Sequence, residues 1–186
     1  MSQENVEVVR QPIALKGRSR RGLDERIYLL FPSVVASVTR AVFRLPPRSR
    51  ARRAVILRVA QTGFDATNRK DFVSGFLLYH PDGEFITPSN FLALGFDPVY
   101  RGRKARFEFQ ESWSAEWGEV RFEPVEVLDL GDRLLFLGRV KGSGVSSGAA
   151  VESDWGVVFT LSAGRLIREQ PFFDRQEALA AVGLSE

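Results

Sequence analysis

Three side chains stand out for proton chemistry: Asp154, Glu169 and His80. His80 is the only histidine, and so the only side chain whose ordinary pKa lies near neutrality. At the mouth of a pocket it could act as a general acid or base. Its plainer reading is the first residue of the turn His80-Pro81-Asp82-Gly83, where side chains usually face water. Asp154 and Glu169 fall on successive predicted strands. A lone carboxylate in an apolar cavity has its pKa raised, because desolvation penalises the charged form, and such a group can move a proton beside a carbonyl. Glu169 alternates with Ile167, Pro171 and Phe173, whereas Asp154 shares its face with Glu152, Gly156, Val158 and Thr160. Both faces are mixed, so the two-residue period leaves open which carboxylate points inward. The alternative puts both on a solvated outer face, paired with Arg139 or Arg168. Asp174, just after the last strand, is accounted for as a helix cap.

A pocket needs walls. Phe64, Tyr79, Phe91, Trp113, Trp117, Trp155 and Phe172 could line one that takes a small, largely apolar molecule; a plain core draws on the same residue types. Arg139 could orient a carboxylate or enolate oxygen, or form an ordinary cross-strand ion pair. The chain has no cysteine, which excludes disulfides, thiol catalysis and Cys-ligated metals. One histidine is a poor start for a metal centre, so no metal and no cofactor are expected. Gly142 to Gly148, GSGVSSG, lacks the Lys and the following helix of a phosphate loop, and a GxSxG nucleophile elbow is absent.

The elements that must position these residues follow from hydrophobic period. Ala54–Thr67 reads as a helix with Ile56, Ala60 and Phe64 on its core face, and Asp71–Leu78 as a short second helix. Glu84–Thr87 can be a first strand, Pro88–Arg103 reads mostly as loop, and Lys104–Trp117 as a third helix. From Glu119 the period falls to two, and four strands follow: Glu119–Leu128, Arg133–Lys141, Ala150–Leu161 and Arg165–Phe173. Their short links demand antiparallel neighbours. Asp174 opens a terminal helix that Gly183 stops. Helices first and then a meander describe an α+β domain over Arg50 to Leu184. Its twisted sheet curls, and a helix laid across it leaves a cone-shaped space.

Residues 1–49 form a separate extension. Residues 1–53 hold 12 Lys+Arg against 4 Asp+Glu, a net of +8; residues 54–186 hold 14 against 19, a net of −5; together they give the chain's +3. Met1 to Gly22 reads as mobile. Leu23 to Leu45 reads as helix broken at Pro32, with Val34, Val35, Val38, Ala41 and Val42 in a stripe. The basic arm has three readings: contact with nucleic acid, contact with an anionic membrane surface using the Val stripe and the arginines, or docking on its own acidic domain. The third needs no outside partner and is preferred. The opening residues lack the layout of a secretory signal and no apolar run nears the ~20 residues of a membrane span, which together predict a cytoplasmic protein.

The ordered stretches Gly63–Phe72 (GFDATNRKDF), Tyr79–Phe85, Tyr100–Arg103, Phe122–Gly144, Val157–Asp174 and Glu177–Leu184 resemble the SnoaL-like branch of the nuclear transport factor 2-like superfamily. Similar proteins usually run from a segment like Ser2–Arg10 directly into the first helix, and here 52 residues separate Arg10 from Gly63. The basic arm and apolar helix thus look like an insertion. The resemblance implies a cone-shaped antiparallel sheet wrapped on helices, a pocket at its wide end, and a homodimer. It also implies cofactor-free isomerase, cyclase or hydrolase-type chemistry, or binding alone. Fold does not choose among these.

Overall fold

The computed structural model describes residues 8–14, 17–145 and 148–185. Met1–Glu7 of the opening segment and Ser146 and Ser147 of the predicted hairpin loop lie outside them. The element order is β1 (Val9–Pro12), α1 (Leu23–Leu30), α2 (Pro32–Val42), α3 (Arg50–Asn68), α4 (Phe72–Gly75), β2 (Tyr79–Ile86), α5 (Ser89–Leu92) and β3 (Val99–Arg101). It continues with α6 (Gly102–Ala115), β4 (Trp117–Asp129), β5 (Arg133–Gly144), β6 (Ala150–Ser162), β7 (Arg165–Phe172) and α7 (Arg175–Ala180).

The strands form one curved, unclosed sheet in the order β1-β4-β5-β6-β7-β2-β3. The α+β class and the β4 to β7 meander agree with expectation. Three details differ. β2 runs parallel to β7, because the chain leaves β2 and returns only after the whole meander is built. Val9–Pro12 is no mobile segment: it pairs antiparallel with Glu126–Asp129 and covers the free edge of β4. The second helix shrinks to Phe72–Gly75, capped by the Asp71 carboxylate, which accepts from Ser74 N–H. Gly75 lies so close to α3 that a Cβ there would meet Thr67 Oγ1 at 2.9 Å.

The two-residue period divides the sheet into two cores. Val127, Leu134, Phe136, Val140, Trp155 and Val157 face inward against Ile56, Ala60 and Phe64 of α3. Leu128, Leu135, Leu137 and Val158 face outward beneath Ala178 and Leu179 of α7. The outer contact is close, for a Cβ on Gly156 would stand 2.9 Å from that of Ala178. Asp174 caps α7, its carboxylate accepting from Glu177 N–H at 2.8 Å. At the far end of α3, Asn68 clamps the helix to β4: its amide donates to Phe122 O at 2.9 Å and accepts from Phe122 N–H at 2.8 Å.

α1 and α2 lie against this body. The link between them is Phe31-Pro32, with proline at the first turn of α2, where its missing N–H costs nothing. α2 rests on the β6–β7 turn, which offers Gly164 at φ +78°; a Cβ there would collide with the Ala36 carbonyl. Arg52, counted with the basic arm by sequence, is instead fully buried. Its Nε and Nη2 hold Asp129 at 2.7 and 2.6 Å, its Nη1 donates to Phe43 O and Leu45 O, and its Nη2 donates to Gly131 O. One guanidinium thus joins the end of α2, the start of α3 and the β4–β5 turn. Among the described residues no helix is long and apolar enough to cross a membrane.

Candidate functional site

The concave sheet, α3 and α6 enclose a cavity of about 170 Å³. α3 supplies Ile56, Ala60 and Phe64, the sheet supplies Phe136, Trp155 and Phe159, and α6 supplies Phe109 and Trp113. Tyr28 of α1, Thr39 of α2 and Phe43 just after α2 close another side. Phe64 meets Phe136 and Trp155 edge-on at 5.3 and 5.5 Å, so the wall is an interlocked aromatic set.

One charged pair interrupts it. Arg106 of α6 grips Glu169 of β7 side-on, Nε to Oε2 and Nη2 to Oε1, both 2.8 Å. Arg106 Nη1 donates to Gln110 Oε1 at 3.0 Å, and Gln110 Nε2 donates to Ser114 Oγ at 3.0 Å. The guanidinium carbon sits 4.4 Å from the Phe76 ring centre and 4.3 Å from that of Phe85. Stacking of this kind favours a weakly hydrated guanidinium over an ammonium. Such a buried pair is tolerable because both carboxylate oxygens and three guanidinium N–H groups are bonded.

Tyr79 stands beside this pair on the cavity wall. Burial, reinforced by the negative charge of Glu169, pushes its phenol well above the ordinary tyrosine value, so it stays an O–H donor. That hydroxyl is buried and has no hydrogen-bond partner among the described residues, and the same holds for Ser74 Oγ. An orphaned buried hydroxyl on a cavity wall is unusual, since such groups are normally paired.

The sequence-predicted residues divide cleanly. Phe64, Tyr79, Phe91, Trp113, Trp155 and Glu169 all line the cavity. Asp154 does not: it is exposed, opposite Arg139 in register, on the outer side of β6. Arg139 is exposed too and pairs with Glu152 at 3.0 Å, so it reaches no pocket oxygen. Phe172 points outward to the α7 core, and its neighbour Phe173 takes the cavity position. Trp117 packs on Trp113 with ring centres 5.9 Å apart, behind the wall. His80 lies off the cavity, its Nδ1 accepting from Asp82 N–H at 3.1 Å in an irregular stretch of β2. Glu169 lines the cavity, paired with Arg106 and not alone.

Arg106 and Gln110 were missed. The signal was present, for Arg106, Phe109, Gln110 and Trp113 recur at helical spacing and share the buried face of α6. An arginine on such a stripe reads as an interruption until a buried carboxylate is seen opposite it. Among the described residues no group of three or more His, Asp or Glu could hold a metal ion.

The family model of the SnoaL-like domain matches residues 60–169. Among solved structures, TerC co-crystallised with polyporic acid is similar, at 21% identity and a TM-score of 0.58 over 63% of this chain and 90% of that one. A nuclear transport factor 2-like protein of unknown function from Burkholderia pseudomallei is 20% identical with a TM-score of 0.59, over 68% and 96%. A Catenulispora acidiphila protein of ketosteroid isomerase-like fold, in complex with trimethylamine, is 14% identical with a TM-score of 0.54, over 68% and 92%. Identities this low speak for the fold alone. No curated protein matches the chain.

Proposed function

The chain belongs to the SnoaL-like domain family, and from that premise we propose that it binds a small, mostly apolar molecule carrying one acceptor oxygen. The observation that carries this reading is an aromatic cavity whose wall holds an unpartnered Tyr79 hydroxyl beside an already satisfied Arg106–Glu169 pair. Apolar walls favour a ligand without net charge, and an oxygen brought to Tyr79 would supply the missing partner. A volume of about 170 Å³ is on the scale of an engineered apolar cavity of about 150 Å³ that takes up benzene. One ring is therefore the natural size for the cavity in this state.

A second reading makes the site catalytic. It is favoured by the electrostatic coupling of Tyr79 to Glu169, which places a carboxylate near a neutral donor. In this reading Glu169 takes a proton from the carbon next to a carbonyl while Tyr79 donates to the carbonyl oxygen. Arg106 would hold the carboxylate in place, and Asp154 and His80 have no part.

A thermal-shift screen of one-ring ketones and phenols tests the binding reading. A ligand should raise the melting temperature of the native chain, less so with Tyr79→Phe, and not at all with Ala60→Phe, which fills the cavity. Ligands that stabilise the Ala60→Phe variant equally would sink it. For the catalytic reading, turnover of a bound ketone that survives Glu169→Gln would do the same. The homodimer implied by family resemblance belongs to this proposal too, and a monomer at all concentrations in sedimentation equilibrium would remove it.

A further inference from the structure

α1 carries its amphipathicity inside out, and α2 shows a second apolar stripe to solvent. The acidic residues of α1 turn inward, where Glu25 meets Arg69 and Asp24 meets Arg18 and Arg58. The apolar residues Leu23, Ile27 and Leu30 turn outward, and Leu23 and Leu30 are 74% and 72% exposed. α2 is apolar on both sides: it buries Val35, Ala36 and Thr39 against the body and shows Val34, Val38 and Ala41, at i, i+4 and i+7, to solvent, with Leu45 exposed just beyond its end. Phe31, at the joint between the helices, is 55% exposed and bridges the two stripes. Single exposed apolar residues are ordinary; a run along both helices and their joint is not.

The exposed charges of residues 17–53, the stretch that carries this face, are basic. Arg20, Arg26, Arg40, Arg44, Arg50 and Arg53 are exposed. Arg26 adjoins Ile27 on α1, Arg40 adjoins Ala41 on α2, and Arg44 and Leu45 follow just beyond the end of α2. Asp24 and Glu25 are the only acidic residues between Lys16 and Arg53, and both are turned inward to arginines. α1 and α2 therefore offer an apolar ridge whose own exposed charges are positive, while Asp132 of the β4–β5 turn shares a surface pocket with Arg40 and Arg44.

We propose that this face docks on the surface of an anionic lipid bilayer, with Leu23, Ile27, Leu30, Phe31, Val34 and Val38 at the acyl boundary and the arginines among the headgroups. An interfacial helix needs that combination of apolar face and cationic flanks. Each arginine near such a surface adds about 1 kcal/mol, screened by salt. A second copy of the chain fits less well, since a two-fold contact through this patch would set arginine rim against arginine rim. A nucleic acid would use the arginines and leave the apolar ridge in water. The inner sides of the same helices hold Tyr28, Thr39 and Phe43 against the cavity, so the docked layer is one helix thick between bilayer and cavity. Docking does not depend on what the cavity binds.

Sedimentation of the full chain with vesicles tests this, using pure phosphatidylcholine and phosphatidylcholine with phosphatidylglycerol. The chain should sediment with the anionic vesicles and less as salt is raised. The double variant Val34→Asp/Val38→Asp, altered only at exposed positions, should bind about tenfold more weakly or worse. Arg40→Glu/Arg44→Glu should weaken binding most at low salt, and Val125→Asp on the sheet should leave it unchanged. Far-UV circular dichroism and urea unfolding confirm that each variant folds. No sedimentation with anionic vesicles at low salt overturns the proposal, as does undiminished binding by Val34→Asp/Val38→Asp. A concentration-dependent dimer abolished by that variant would assign the face to a second copy and equally overturn it. Duplex DNA binding that outcompetes the vesicles would also do so.

Discussion

Arg106 and Glu169, 63 residues apart in sequence, meet side-on inside the cone through two hydrogen bonds of 2.8 Å each. The pair ties α6 to β7 and holds the Glu169 carboxylate in one orientation on the cavity wall. Breaking it should be asymmetric. Glu169→Gln leaves a buried guanidinium without its counter-charge and should cost about 3–5 kcal/mol in urea unfolding. Replacing both partners, Arg106→Met with Glu169→Leu, should be near neutral in stability. A double replacement as damaging as the single one would mean that the pair does more than satisfy itself.

Arg52 should tolerate no cationic substitute. Its guanidinium bonds to Asp129, Phe43 O, Leu45 O and Gly131 O in a fixed fork. Lysine keeps the charge but loses the planar geometry and two nitrogens. Arg52→Lys should therefore lose about 2 kcal/mol or more, by the penalty for unpaired buried acceptors. Because Arg52 joins α2 to the sheet, amide exchange in α2 should accelerate more than in β5. Uniform acceleration across the protein would contradict that role.

Docking of α1 on the body should depend on acid. The hydrogen bond from Arg21 holds the Asp71 carboxyl well below the ordinary aspartate range. For Asp24, burial alone would raise the pKa, but the hydrogen bonds and charge of Arg18 and the bond from Thr62 outweigh it. A carboxylate whose folded pKa is depressed contributes stability above its unfolded pKa, and loses it as pH falls toward the folded value. Below about pH 3.9, the ordinary Asp value, α1 should therefore loosen from the body. Fluorescence of Tyr28 or proteolysis near Gly22 would follow it. Asp71→Asn keeps a capping oxygen but removes the charge that Arg21 pairs with, so it should weaken docking slightly at neutral pH and flatten the acid response. An unchanged acid response would contradict the assignment.

The seat of α2 can be tested at a single atom. Gly164 combines a left-handed backbone with contact to the Ala36 carbonyl. Gly164→Ala should cost about 1–3 kcal/mol through strain and displace α2, whereas Gly148→Ala, also at positive φ but with nothing near its Cβ, should cost less and leave α2 in place. Equal effects at the two glycines would show that the α2 contact adds nothing.

Much of the architecture was legible in local pattern. Period-two alternation marked β4 to β7 because one face of each strand packs on α3 and the other on α7 or water. Ile56, Ala60 and Phe64 marked the inner side of α3. Adjacent strand residues cannot both face one cavity, so Trp155 in the wall already implied Asp154 outside. By the same parity, Glu169 inside implied Phe173 and not Phe172. What pattern could not supply was the absolute side, since mixed faces look alike until a helix covers one of them.

The sequence by itself determined the α+β order, the capped terminal helix, the helical segment broken at Pro32 and its excess of arginine, because each depends on neighbours within a few residues. The tertiary structure alone decided which carboxylate entered the cavity, which arginine met it, and which side of α1 and α2 faced water. Those outcomes rest on contacts between residues far apart in the chain, where burial and charge pairing are settled only when the helices close on the sheet.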